Sequence, residues 1–231
     1  MTTISKALQA VQARILLAAT ECGRSPASIT LIAVSKTVSV ASLRSAYAHG
    51  QRAFGESYVQ EALLKIAALQ DLAIEWHFIG PLQSNKTKSV AENFAWVHSV
   101  ERINIAKRLS DQRPPGLPPL NLCLQVNISG EASKRGVAPG EVAALAQAVA
   151  TLPKIKLRGL MAIPEATQEV SKQRAQCRVL RQLRDQLARS LGTLDTLSIG
   201  MSGDLETAIQ EGATMVRVGS AIFGLRENAG K

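Results

Sequence analysis

The sequence predicts an α/β fold, a single (β/α)8 TIM-type barrel over residues 1–231 with one extra helix ahead of the first strand. Three observations predict it. Eight buried strand-like runs recur along the chain, helical patterns separate them, and residues with unusual chemistry gather where the runs end. Strand alternating with helix implies right-handed βαβ units and a parallel sheet, and a count of eight closes that sheet into a barrel. A doubly wound open sheet is the rival arrangement, because the second strand is very short.

The elements follow in order. Met1 to Ala19 repeats Ile4, Leu8, Val11 and Ile15 on one side, the period of an amphipathic helix rather than a signal peptide. Ile29–Ser35 is an apolar run with β-branched residues, suited to a strand covered on both faces. Further strands are expected at Arg52–Phe54, Glu75–Ile79, Ala95–Ser99, Leu120–Ser129, Ile155–Ile163, Thr193–Gly200 and Thr214–Val218. Helical patterns lie at Val40–His49, Val59–Leu69, Lys86–Asn93, Ile103–Asp111, Pro139–Thr151, Gln168–Leu191 and Leu205–Glu211. The proline-rich stretch from Arg113 to Pro119 delivers the chain stiffly into strand five.

Composition bounds the function. Hydrophobic residues make up 46% of 231, enough for a sizeable core, and no apolar run approaches the roughly 20 residues of a membrane helix. Cys22, Cys123 and Cys177 are widely spaced and read as reduced packing residues of a cytoplasmic protein. His49, His77 and His98 are scattered, which argues against a zinc site. The net charge of +9 raises an anionic partner, and much of it lies between Lys172 and Arg189. There Leu180, Leu183, Leu187 and Leu191 share one helix face while Arg174, Arg178, Arg181 and Arg189 share the other. No aromatic residues interleave that stripe, so it reads as a solvated face and not as a nucleic-acid platform.

A barrel places its chemistry at the carboxyl ends of its strands, and the strand starts here read as ordinary apolar residues. Lys36 closes strand one. Dehydration lowers an amine's pKa, and the neutral amine can attack a carbonyl. Ser202-Gly203 follows strand seven and Gly219-Ser220 follows strand eight. Glycines let backbone N–H groups approach an anion and serines add hydroxyl donors, so the two loops read as a phosphate seat; N-capping by Ser202 is the alternative. Arg217, inside strand eight, needs an acceptor, either a carboxylate such as Glu206 or a ligand atom. Amine, phosphate seat and inward arginine together describe a pocket for a phosphorylated aldehyde.

From about Leu8 to Phe223 the chain resembles the pyridoxal-phosphate homeostasis family, small relatives of the alanine racemase barrel. The resemblance rests on Ala33-Val34-Ser35-Lys36-Thr37, Phe54-Gly55-Glu56, the run from Trp76 to Gln83, Asn85-Lys86, Arg158-Gly159-Leu160-Met161, Gly200-Met201-Ser202 and Val216-Arg217-Val218-Gly219. It implies a type III pyridoxal-phosphate fold with Lys36 as the Schiff-base lysine. It further implies that Ser202, Gly203, Gly219 and Ser220 take the phosphate and Arg217 the pyridine nitrogen, with Ser57 and Met201 also at the cofactor. Ser57 stands where the family usually has asparagine, Val38 where lysine often stands, and Gly203 where many relatives are acidic. Lys134, in the basic loop beginning at Ser133, would serve cofactor exchange. The function implied is a monomeric carrier that buffers pyridoxal 5′-phosphate and passes it transiently to apo-enzymes, with negligible turnover. The alternative is a racemase-like enzyme. The related racemases draw a catalytic tyrosine from a second domain, which this chain is expected to lack, and only Tyr47 and Tyr58 are on offer.

Overall fold

Apolar strands covered by amphipathic helices leave one compact solution for this pattern, a closed barrel, and the computed structural model has it. It describes residues 3–131, 134–192 and 194–224. Strands β1 (Thr30–Val34), β2 (Ala53–Glu56), β3 (Glu75–Phe78), β4 (Trp96–Val100), β5 (Leu120–Gln125), β6 (Ile155–Met161), β7 (Thr196–Ser198) and β8 (Met215–Val218) are parallel and neighbour one another in chain order. The ring shuts where β8 pairs with β1, in the register Ile32 to Arg217. Helices α2 (Val40–Ala48), α3 (Val59–Ala68), α4 (Thr87–Asn93), α5 (Ile103–Gln112), α6 (Val142–Ala150), α7 (Val170–Leu191) and α8 (Leu205–Gln210) connect them, and α9 (Ser220–Phe223) follows β8. The extra helix α1 (Thr3–Glu21) packs on α8, α9 and α2, covering the seam between β8 and β1.

Two apolar regions hold the barrel. The larger lies between strands and helices and takes Leu8, Val11 and Ile15 of α1, each contributing about 1.5–3 kcal/mol when fully buried. The smaller fills the barrel axis with Ile32, Ala53, Trp96, Cys123, Met161 and Met215. Gly159 of β6 is required by close approach, since a Cβ there would stand 1.8 Å from the carbonyl oxygen of Thr196. No helix among the described residues is long and apolar enough to cross a membrane.

The closed ring decides against the open sheet, and several expected boundaries move. β5 stops at Gln125, not Ser129: Val126 bridges Val137, and Asn127 Nδ2 donates to the carbonyls of Glu131 and Lys134, rolling the chain into a loop. β6 ends at Met161 and β2 runs on to Glu56. β7 keeps only three residues, and its expected start at Thr193 lies outside the described residues, as do Met1 and Ser133. The arginine stripe of α7 is not merely solvated. Glu211, 4% exposed in its side chain, collects Arg174 at 3.2 Å, Arg178 at 3.0 Å and Arg181 at 3.5 Å. Those three charges pin α7 to the end of α8, and only part of the stripe remains for solvent.

Candidate functional site

The turn after β1 carries Lys36 in a backbone held from both sides. Thr37 has φ 62, a left-handed conformation that costs a non-glycine residue about 1–3 kcal/mol unless its surroundings impose it. They do. The Thr37 N–H donates to Glu61 Oε1 at 2.6 Å, and the Ser35 carbonyl accepts from Lys65 Nζ at 2.6 Å. Ser35 Oγ donates to Glu56 Oε1 at 2.7 Å, and Lys65 Nζ reaches that same oxygen at 2.8 Å. Residues 35 and 37 are therefore fixed through β2 and α3. Burial pushes the Glu56 carboxyl up, against the opposing hydrogen bonds from Lys65 and Ser35.

Across the barrel mouth lie the loops after β7 and β8. Gly200, at φ 104, turns the chain out of β7. Ser202 is not the helix cap: α8 begins at Leu205, and Asp204 Oδ1 accepts from the Met201 N–H at 2.6 Å. The loop is braced from α1, where Arg14 donates to the Ser202 carbonyl at 2.9 Å and to both carboxylate oxygens of Glu206. Among the described residues, the N–H groups of Ser202, Gly203 and Gly219 and the hydroxyls of Ser202 and Ser220 have no protein partner. With α8 six residues long and α9 four, the anion-binding capacity rests on these donors and little on helix dipoles.

Arg217 is buried, and its partners differ from the expected carboxylate. Nη1 donates to Ser198 Oγ at 2.8 Å and Nη2 to the Ala162 carbonyl at 2.9 Å, while Glu206 is taken by Arg14. Burial pushes its guanidinium down to about 10, with the charge of Asp204 opposing, so it stays protonated at neutral pH. A cavity of about 330 Å³ brings the parts together. Lys36, Ser57, Met201, Ser202, Gly203, Arg217, Gly219 and Ser220 all line it.

Residues 7–227 match the family described as alanine racemase, N-terminal domain. A pyridoxal phosphate homeostasis protein of Pseudomonas aeruginosa is 60% identical over 227 residues, 98% of this chain and 97% of that one. The chain belongs to the pyridoxal phosphate homeostasis proteins. The homeostasis protein of Escherichia coli K12 is 51% identical over 234 residues, with both chains fully covered. Among solved structures, PipY of Synechococcus elongatus PCC7942, with PLP bound, aligns at a TM-score of 0.83 and 36% identity, over 96% of this chain and 100% of its own.

Three features in and around this site were not anticipated. Val34, Ile79 and Ile163 form apolar walls of the cavity; as strand-end residues they carry no chemical signature. Lys134 pairs with Glu131 at 2.8 Å and, with Arg135, lines a neighbouring cavity of about 180 Å³ that shares Ile79 and Ile163 with the first. His77 and His98, scattered in sequence, touch at 3.0 Å inside the barrel, and Glu75 is a polar strand start joined to them. Their place on β3 and β4 at the same side-chain parity was the available signal.

Proposed function

We propose that this protein binds pyridoxal 5′-phosphate, holds it covalently through Lys36, and serves in the cytoplasm as a carrier and buffer of the cofactor rather than as an enzyme. One observation carries the reading: a single cavity is lined by an amine, a buried cation and two serine–glycine loops with open donors. That donor set fits the cofactor group by group. Ser202, Gly203, Gly219 and Ser220 would hold the phosphate, each charge-assisted hydrogen bond contributing roughly 1.5–3 kcal/mol. Lys36 would bond the aldehyde carbon, Arg217 would donate to the ring nitrogen, and Ser57 and Met201 would flank the ring.

Bound pyridoxal phosphate supplies an electron-poor ring that stabilises negative charge on a carbon attached through an amine. The surrounding residues weaken that capacity. Arg217 is a donor only and keeps its own proton, so it would leave the ring nitrogen neutral. Val34, Ile79 and Ile163 are apolar, and among the described residues that line the cavity none besides Lys36 is a base that could move a proton. The Tyr47 hydroxyl accepts from the Ala73 N–H at 3.2 Å, and Tyr58 is 57% exposed. Neither lines the cavity. A protein that binds the cofactor firmly and moves protons poorly suits storage and hand-over to apo-enzymes, working as a monomer.

The test is incubation of the loaded protein with single L-amino acids in deuterated water. Negligible Cα exchange and no D-isomer support the carrier. Steady exchange that disappears in Lys36→Ala would establish a racemase-like enzyme instead.

A further inference from the structure

A chain of buried hydrogen bonds runs through the barrel from the mouth opposite the cavity up to Arg217. Glu75 Oε1 lies 2.8 Å from His77 Nε2, His77 Nδ1 lies 3.0 Å from His98 Nε2, and His98 Nδ1 lies 2.9 Å from Ser198 Oγ. Ser198 Oγ in turn accepts from Arg217 Nη1 at 2.8 Å. His77, His98 and Ser198 are each 0% exposed, while the side chain of Glu75 is 49% exposed. Trp96 stacks on His77 with 12° between the planes, and Arg158 lies over the Trp96 ring at 4.8 Å from its centroid.

Charge and valence leave one proton arrangement. Glu75 is held ionised by its hydrogen bond from His77, so it accepts and His77 Nε2 carries the hydrogen. Burial disfavours the imidazolium at both histidines, and the Arg217 charge presses further on His98. A neutral His77 must then accept at Nδ1, so His98 carries its hydrogen on Nε2 and accepts at Nδ1. The Ser198 hydroxyl hydrogen therefore points to His98, and its lone pair faces Arg217. The reverse polarity would bring two donors onto Ser198 Oγ and leave its own hydrogen without an acceptor.

We propose that Glu75, at the far mouth of the barrel, fixes the tautomers of His77 and His98 and through them aligns Ser198 to hold Arg217 in one orientation. All four are positioning residues; none touches the cavity. The proposal deepens the reading of Arg217 as part of the cofactor seat. Its test uses the ligand-free protein, so failure here leaves the cofactor assignment standing.

The experiment is nitrogen-15 NMR of labelled protein without cofactor. Wild type should show both histidines neutral with the hydrogen on Nε2, and distinct, slowly exchanging Nη resonances for Arg217. Glu75→Ala should shift the His77 tautomer ratio by at least about tenfold, the scale of one lost hydrogen bond to a charged group. It should carry His98 with it and average the Arg217 Nη signals. Glu75→Gln keeps an acceptor oxygen and should restore all three. Ser198→Ala should average Arg217 while leaving both histidine tautomers in place, which a general loosening of the barrel would not do. A hydrogen on His98 Nδ1 in wild type would overturn the proposal. So would unchanged histidine and Arg217 signals in Glu75→Ala.

Discussion

Replacing Lys65 by methionine removes the charge that clamps the Lys36 turn while keeping most of the stem that packs beneath it. Lys65 Nζ serves Glu56, Glu61 and the Ser35 carbonyl at once, and the Lys65 and Glu56 side chains are 6% and 0% exposed. Removing one partner of a buried pair leaves the other uncompensated, at a cost of about 3–5 kcal/mol. Glu56 is the worse placed, since its Oε2 already lacks a partner. Its folded-state carboxyl is raised above the unfolded value by burial, and without Lys65 it rises further. A group of that kind is tolerated in its protonated form. The loss in Lys65→Met is therefore smallest below the unfolded carboxylate range and grows as pH rises through the folded value. Urea unfolding at neutral and mildly acidic pH measures both quantities. Lys65→Met with Glu56→Gln removes the stranded charge and should recover most of the stability. A single-variant loss under about 1 kcal/mol, the range of exposed pairs, or a loss that shrinks toward neutral pH would refute the clamp.

Two further outcomes follow from the same geometry. Pyridoxal without its phosphate should bind at least about tenfold more weakly than the phosphate ester, the equivalent of one charge-assisted hydrogen bond; equal affinities by equilibrium titration would remove the seat at Ser202, Gly203, Gly219 and Ser220. Arg14→Ala should weaken cofactor binding about two- to fivefold through the loop it braces, because an ion pair this exposed contributes up to about 1 kcal/mol. An unchanged affinity would show that the 201–204 loop holds its shape without α1.

The barrel was legible because its strands are buried on both faces, so continuous apolar runs mark them, and because their count and alternation with helices leave few topologies. Six of the eight proposed site residues, Lys36, Ser202, Gly203, Arg217, Gly219 and Ser220, stood out because glycine, serine, lysine and arginine at strand ends are expensive or idle unless a ligand meets them. Ser57 and Met201 came from the family resemblance alone, and all eight line one cavity. What escaped was pairing across the barrel. Arg217 was given Glu206 as a candidate partner, but α1 brings Arg14 to that carboxylate from 192 residues away. Glu211 gathers three arginines from α7 for the same reason, a tertiary contact that helix periodicity does not contain. His77 and His98 looked unrelated because their 21-residue separation spans a whole crossover, yet β3 and β4 are adjacent, with His77 opposite Trp96 and His98 at the next position on the same face. The end of β6 overshot because Ala162 and Ile163 continue the apolar run into a loop where Ile163 lines the cavity, and that of β5 because Val126 and Ile128 lie in a loop that Asn127 folds back on itself.

The central claim is that Lys36 is the residue that carries pyridoxal 5′-phosphate. Its direct measurement is borohydride reduction of the loaded protein, followed by peptide mapping with mass spectrometry. The account predicts a single pyridoxyl-phosphate modification on Lys36, and loss of the long-wavelength absorbance in Lys36→Ala at stoichiometric cofactor. Modification on another lysine, or an unchanged absorbance band in Lys36→Ala, would contradict it.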